Sequence, residues 1–181
     1  LQKQAKDLET QLQAKAKEIQ QLQAELATAK PSPWKIEGTT PESDIKYNPN
    51  TGQMTATEGV RVEYHKGAPD AAEMTSDSGT LNRTTGDIVA TGNVILRREG
   101  NIWKAERMDY NFKSHDIKSA QFRTGNLEFF MHGENLTGNS TNRIYTAKNA
   151  TFTTDDAAKP TMVIKAKEVE IVPGEHIIFR N

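Results

Sequence analysis

The stretch NRTTGDIVATGNV (Asn82 to Val94) restates an earlier one, NPNTGQMTATEGV (Asn48 to Val60). Each copy opens on an Asn, passes through a short polar turn closed by Gly52 or Gly86, and enters a run in which apolar and polar residues alternate. Met54, Ala56, Val60, Val62 and Tyr64 share one face of the first run; Ile88, Ala90, Gly92, Val94 and Leu96 share one face of the second. A period of two marks a half-buried β-strand, and a polar Asn-to-Gly turn before it marks a hairpin. One hairpin cannot bury its own apolar face in water. A chain that repeats the unit must therefore lay its hairpins side by side.

A second spacing recurs further along. Ala105, Met108 and Tyr110 are matched by Ala147, Ala150 and Phe152, by Ala166, Val169 and Ile171, and more loosely by Ser76, Gly79 and Leu81. In an alternating strand a step of three throws inward residues out of phase, unless the chain bulges or turns a corner between them. Repeated corners predict stacked rungs. Further polar turns at Asn111 to His115 and Val172-Pro173-Gly174-Glu175 separate the runs. The intervals are unequal, which favours a jellyroll over a regular β-solenoid. The expected fold is mainly β, an open twisted jellyroll of stacked hairpins over residues 44–181, preceded by one long α-helix.

Residues 1–30 form that helix. Leu1, Ala5, Leu8, Leu12, Lys15, Ile19, Leu22, Leu26 and Ala29 follow at alternating spacings of four and three, with helix-forming Gln, Lys, Glu and Ala between them. So narrow a seam suits a partner helix. Leu8, Leu12, Ile19, Leu22 and Leu26 are expected to carry coiled-coil self-association, with Lys15 snorkelling out of the seam. Pro31 and Pro33 end the helix, and residues 31–43, rich in Pro, Thr, Ser and Glu, read as a linker whose Trp34 and Ile36 dock on the following domain as a lid.

Composition removes several functions. The net charge of the 181 residues is -1 and no basic stripe appears, so nucleic acid is a poor partner. There is no cysteine, hence no thiolate metal site and no thiol nucleophile. His65, His115, His132 and His176 are scattered, Asp155 and Asp156 would point to opposite faces of a strand, and no phosphate loop, dinucleotide fingerprint or nucleophile elbow is present. No catalytic residue, metal or cofactor is expected, and an enzyme acting on polysaccharide lacks its carboxylate cluster. The informative set is the inward apolar one: Met54, Ala56, Val62, Ile88, Leu96, Met108, Tyr110, Leu127, Phe129, Met131, Phe152, Met162, Ile164, Val169, Ile171, Ile177 and Phe179. Such an interior is either a packed core, giving a structural β-repeat domain on a coiled-coil oligomer, or a lining for acyl chains, to which soft Met side chains adapt.

The units YNPNTGQMTATEGV and LNRTTGDIVATGNV, followed by WKAERMDYNFKSHDIKSAQF, resemble the OstA-like β-jellyroll family of lipopolysaccharide transport. That family includes the periplasmic bridge protein LptA, the inner-membrane-anchored LptC and the periplasmic N-terminal domain of LptD. The later stretch AKNATFTTDDAAKPTMVIKAKEVEIVPGEHIIFRN is most similar to the last of these. The resemblance implies a non-catalytic periplasmic or envelope module that holds lipopolysaccharide acyl chains inside and passes them toward the outer membrane. It makes Met54, Val62, Ile88, Leu96, Met108, Tyr110, Leu127, Phe129, Met131, Phe152, Ile164, Val169 and Ile171 candidate lipid contacts. It also implies partners of the same jellyroll kind, joined by edge-strand pairing. Asp155 stands where the LptD domains often carry a Cys, so no disulfide to a barrel is implied. The coiled coil is unusual for the family, and would set oligomeric state or space the jellyroll from an anchor upstream of Leu1.

Overall fold

The computed structural model describes residues 11–21, 23, 32–126, 129–139, 144–155, 157, 159–172 and 175–181. The chain divides into two units, Leu1–Ser32 and Pro33–Asn181. In the first, residues 11–21 and 23 are helical and every one of them is exposed, including Leu12 at 68% and Ile19 at 55%. The other seam residues expected to associate, Leu8, Leu22 and Leu26, lie outside the described residues.

Among its described residues the second unit forms one antiparallel sheet of thirteen strands: β1 (Trp34–Gly38), β2 (Asp44–Asn48), β3 (Gln53–Thr57), β4 (Val60–Tyr64), β5 (Ala72–Ser76), β6 (Ser78–Asn82), β7 (Asp87–Arg98), β8 (Asn101–Asn111), β9 (Ile117–Gly125), β10 (Phe130–Asn139), β11 (Ile144–Thr153), β12 (Ile164–Val172) and β13 (His176–Arg180). Strand β7 makes it a jellyroll. Its first half pairs with β6, which leads to β3 and β2; its second half pairs with β5, which leads to β4 and β1. The sheet therefore forks into two layers. From β8 to β12 each strand crosses from one layer to the other, and β13 continues the layer of β2, β3 and β6.

Of the left-handed corners, two sit at steps of three and two at steps of four. Asn149 (φ 48°) lies between inward Ala147 and Ala150, Asn135 (φ 50°) between Gly133 and Leu136, and Gly92 and Asn93 (φ 78° and 47°) between Ala90 and Val94. In the earlier copy of the repeated unit, Glu58 and Gly59 (φ 58° and 101°) take that place. A left-handed residue re-aims the strand so that both halves keep their apolar sides inward, and Asn and Gly tolerate that conformation best. The corners bond to one another: Gly59 N–H donates to Asp77 O at 2.7 Å and Asp77 N–H to Gly92 O at 2.9 Å. At Ser76 and Ser119 the buried hydroxyl donates to the carbonyl two residues on, at 3.0 and 2.6 Å.

The hairpin turns of one layer share a single scheme. The side-chain oxygens of Asn48, Asn82 and Asn111 accept from the N–H two residues on, at 3.0, 2.9 and 2.8 Å. The backbone carbonyls of the same residues accept from Gly52, Gly86 and His115 at 2.9, 2.7 and 2.7 Å, each of which is left-handed. Asn nucleates such a turn through its side chain, and the fifth position needs φ above zero. Successive turns then stack, Arg83 N–H donating to Gly52 O at 3.0 Å and Phe112 N–H to Gly86 O at 2.9 Å. The repeat thus builds a column of turns.

The stretch read as a linker does more than connect. Residues 34–38 form β1 against β4, and Thr40 Oγ1 and Ser43 Oγ donate to Glu58 O at 2.6 Å and Gly59 O at 2.7 Å, closing the end of the corner column. Its Thr and Ser hydroxyls resemble loop composition because here they replace a neighbouring rung. Trp34 packs on Tyr64 and Phe112, the lid position expected for it.

Candidate functional site

The space between the two layers is apolar along its length. Met54, Val62, Ile88, Leu96, Met108, Tyr110, Met131, Val169 and Ile171 are buried within it, and Phe129, Phe152, Ile177 and Phe179 pack against them partly buried. Ile164 opens β12 half-buried, opposite Phe152. Leu127 lies outside the described residues. Met162, expected inward, is 41% exposed because the inward alternation of β12 begins only at Ile164.

The alternation also held inward residues that were not singled out: Phe112, Met74, Ile117 and Leu136 are among the most deeply buried side chains. Phe122 and Leu136 each stand three residues beyond an inward Ser119 or Gly133, the same corner spacing read elsewhere. Phe112 gave no such signal, since it follows a turn Asn and its inward course depends on the next rung.

The interior changes character from one end to the other. Near β1 it is filled by aromatic rings: Trp34 to Tyr64 at 4.5 Å, Trp34 to Phe112 at 5.3 Å and Tyr110 to Phe112 at 5.1 Å. Toward β13 stands a column of half-buried rings, Phe129 to Phe152 at 5.5 Å and Phe152 to Phe179 at 5.4 Å. Between them Trp103 lies 5.5 Å from Tyr145 on the facing layer.

A hydrogen-bonded polar pair interrupts the apolar lining. Tyr110 Oη and His115 Nδ1 are 2.7 Å apart. Burial raises the phenol's pKa well above its usual range, and burial together with the nearby Arg98 guanidinium lowers that of the imidazole. Among the described residues no His, Asp and Glu converge to hold a metal ion. No described helix is long and apolar enough to cross a membrane.

The edges are open at both ends. Among the described residues β1 pairs only with β4 and β2 only with β3, while β13 covers residues 168–172 of β12 and leaves 164–167 without a strand on their outer side. Val163, just before that free stretch, is 42% exposed. Two clefts of about 760 and 750 Å3 are lined by charged residues such as Lys104, Glu106, Arg123, Asp109 and Lys118 together with apolar ones such as Ile95, Val89 and Ile144. The phenylalanine column lines neither of them.

The chain is similar to known proteins. Residues 73–180 match the family described as LptA/(LptD N-terminal domain) LPS transport protein. The chain is 27% identical over 128 residues to the LPS-assembly protein LptD of Acinetobacter baylyi, covering 69% of this chain and 15% of that protein. In fold it is similar to the crystal structure of LptH, the LptA-homologous periplasmic component of the lipopolysaccharide transport device of Pseudomonas aeruginosa. That likeness has a TM-score of 0.50 and 11% identity, and covers 75% of this chain and 98% of LptH.

Proposed function

The chain belongs to the LptA/(LptD N-terminal domain) family of lipopolysaccharide transport proteins, and on that footing we propose that it is a non-catalytic periplasmic module that takes acyl chains of lipopolysaccharide between its layers and hands them toward the outer membrane. The half-buried column of Phe129, Phe152 and Phe179, continuous with an apolar interior and ending at an incompletely paired strand, carries this reading. Rings that stay partly exposed at the end of a buried core are surface that a ligand or partner can cover.

Phe129, Phe152 and Ile164 are then the first contacts of an entering chain. The deeper candidates, Met54, Val62, Ile88, Leu96, Met108, Tyr110, Met131, Val169 and Ile171, touch lipid only where the layers spread. The free edges of β1, β2, β12 and β13 suit pairing with further jellyrolls, because unpaired N–H and C=O groups template another strand. The exposed seam of the helix suits self-association. A second reading, a packed structural β-repeat without ligand, draws on the filled end, where Val62, Met74 and Phe112 are fully buried.

Photo-crosslinking residues separate the two. Placed at Phe129, Tyr110 and Ile164 they should capture lipopolysaccharide, and placed at outward Asp87 and Lys118 they should not. Equal capture at inner and outer positions, or none at all, sinks the transport reading.

A further inference from the structure

Arg98 is an unusual occupant of its position. It continues the inward series Val94, Leu96 of β7, and its side chain is only 17% exposed, yet it is a cation at the lip of an apolar interior. Its Nε is buried with no hydrogen-bond partner among the described residues. On its inner side are the buried Tyr110 hydroxyl and the His115 ring, whose pKa values the guanidinium influences. On its outer side is a cleft of about 270 Å3 between the β4–β5 and β7–β8 turns, lined also by the cations Lys66 and Arg97 and by the carboxylates Glu63 and Glu73.

The charged acceptor of Arg98 comes from an unexpected place. Glu99 and Gly100 form the two-residue turn between β7 and β8, with φ of 50° and 77° and Arg98 opposite Asn101. Such a turn needs left-handed residues at both places, and Asn or Gly is the usual first one. A Glu there accepts backbone strain, and its carboxylate lies 2.8 Å from Arg98 Nη2 while remaining 42% exposed. A carboxylate held by an adjacent residue at the surface is a weakly bound partner. A phosphate group bearing up to two charges competes well for a guanidinium fork.

The geometry points to Arg98 as the anchor for a phosphomonoester at the lip between the two layers, with the Glu99 carboxylate occupying that place until the anion arrives. For lipopolysaccharide this deepens the transport reading and rests on it: acyl chains lying inside bring the phosphorylated sugar to the lip.

The test uses the whole chain, with bisphosphorylated lipid A, enzymatically dephosphorylated lipid A and inorganic phosphate as separate probes. The wild type should bind the phosphorylated lipid about tenfold more tightly than the dephosphorylated one, the scale of one charged hydrogen bond. Arg98→Gln should erase that difference and leave the dephosphorylated lipid unaffected, Arg98→Lys should restore part of it, and Glu99→Gln should widen it. Phosphate alone, bound by the wild type and lost in Arg98→Gln, would keep the site but assign it to a free anion, even if no lipid bound. Equal wild-type affinity for both lipids overturns the inference while leaving lipid transport intact. Equal weakening of both lipids by Arg98→Gln overturns it too, since the residue would then only hold the lips together. Binding of no probe defeats both readings.

Discussion

The Asn93 amide donates to the Asp77 carboxylate at 2.9 Å, tying the bend of β7 to the bend between β5 and β6. Asn149 repeats the relationship with Glu134, also at 2.9 Å, on later strands. Each link joins a left-handed Asn to an acid on the neighbouring strand, so the polar outside of the corner is bonded while its apolar inside packs.

Asn93→Gly keeps the left-handed backbone and loses the bond, and should cost about 0.5–1.5 kcal/mol. Asn93→Ala also forces a Cβ-bearing residue without a polar side chain into the left-handed region, and should cost roughly 1–2 kcal/mol more. Urea unfolding midpoints compare the two. Equal losses would mean that the backbone angle contributes nothing.

Ile88 and Val89 are neighbours on opposite faces, Ile88 buried and Val89 exposed beside Asp109. Ile88→Lys places an unpaired charge between the layers and should destabilise by about 3 kcal/mol or more, whereas Val89→Lys should stay within about 0.5 kcal/mol. Thermal unfolding followed by circular dichroism reads both. A stable Ile88→Lys protein would put the strand in the other register.

Trp34 bears on whether β1 belongs to the domain. Its ring packs on Tyr64 and Phe112 but is only partly buried. Trp34→Ala should cost about 2–3 kcal/mol, below the range of a fully buried ring. An unchanged unfolding midpoint would return β1 to the status of a tether.

His115 makes stability depend on pH. Its folded pKa lies below the ordinary 6.5 because it is buried and faces Arg98, so the unfolded chain takes up its proton first as the pH falls. The stability it supports is complete above the unfolded pKa and declines as the pH drops from there toward the folded value. The carboxylates of Asp70, Asp87 and Asp155 are held below their usual range by hydrogen bonds, so their contribution is lost only at more acid pH. His115→Asn, which suits the left-handed turn, should flatten the dependence between pH 7 and 5. An unaltered profile in denaturant titrations at several pH values would reject the assignment.

Leu12 and Ile19 lie exposed on a helix. Isolated helices of a few turns are marginal in water, and an apolar seam gains most from a second helix. Sedimentation equilibrium should find the whole chain associating, and the Leu12→Ser, Ile19→Ser double variant should be monomeric with its strand signal intact. A wild type that stays monomeric at high concentration excludes the coiled coil.

Much of this fold was legible because two of its devices use few residue types. The Asn that starts a turn and the Gly that ends it leave marks at fixed spacing, and a step of three within an alternating strand is visible wherever small residues flank it, as at Ala147 and Ala150. The third turn, Asn111 to His115, was read as a polar turn as well, but the benefit of a ring in the Gly place, the bond to Tyr110, arises only in three dimensions. Strand β1 was obscured for another reason. Its five residues alternate too briefly to outweigh the surrounding Pro, Thr and Ser, and its pairing with β4 joins residues far apart in the chain. Arg98 was within reach of the same parity that placed Leu96 inside, but a cation is not what an apolar series leads one to extend.

The spacing at each corner also governs how such a chain can change its length. A single residue added to β8 would turn every side chain beyond it to the wrong face, and would break the bonds that hold its turn to the one before. Adding or deleting a complete out-and-back hairpin disturbs neither, because each turn offers its neighbour a backbone carbonyl and each corner a backbone pair that another rung can meet. Growth is tolerated in whole storeys.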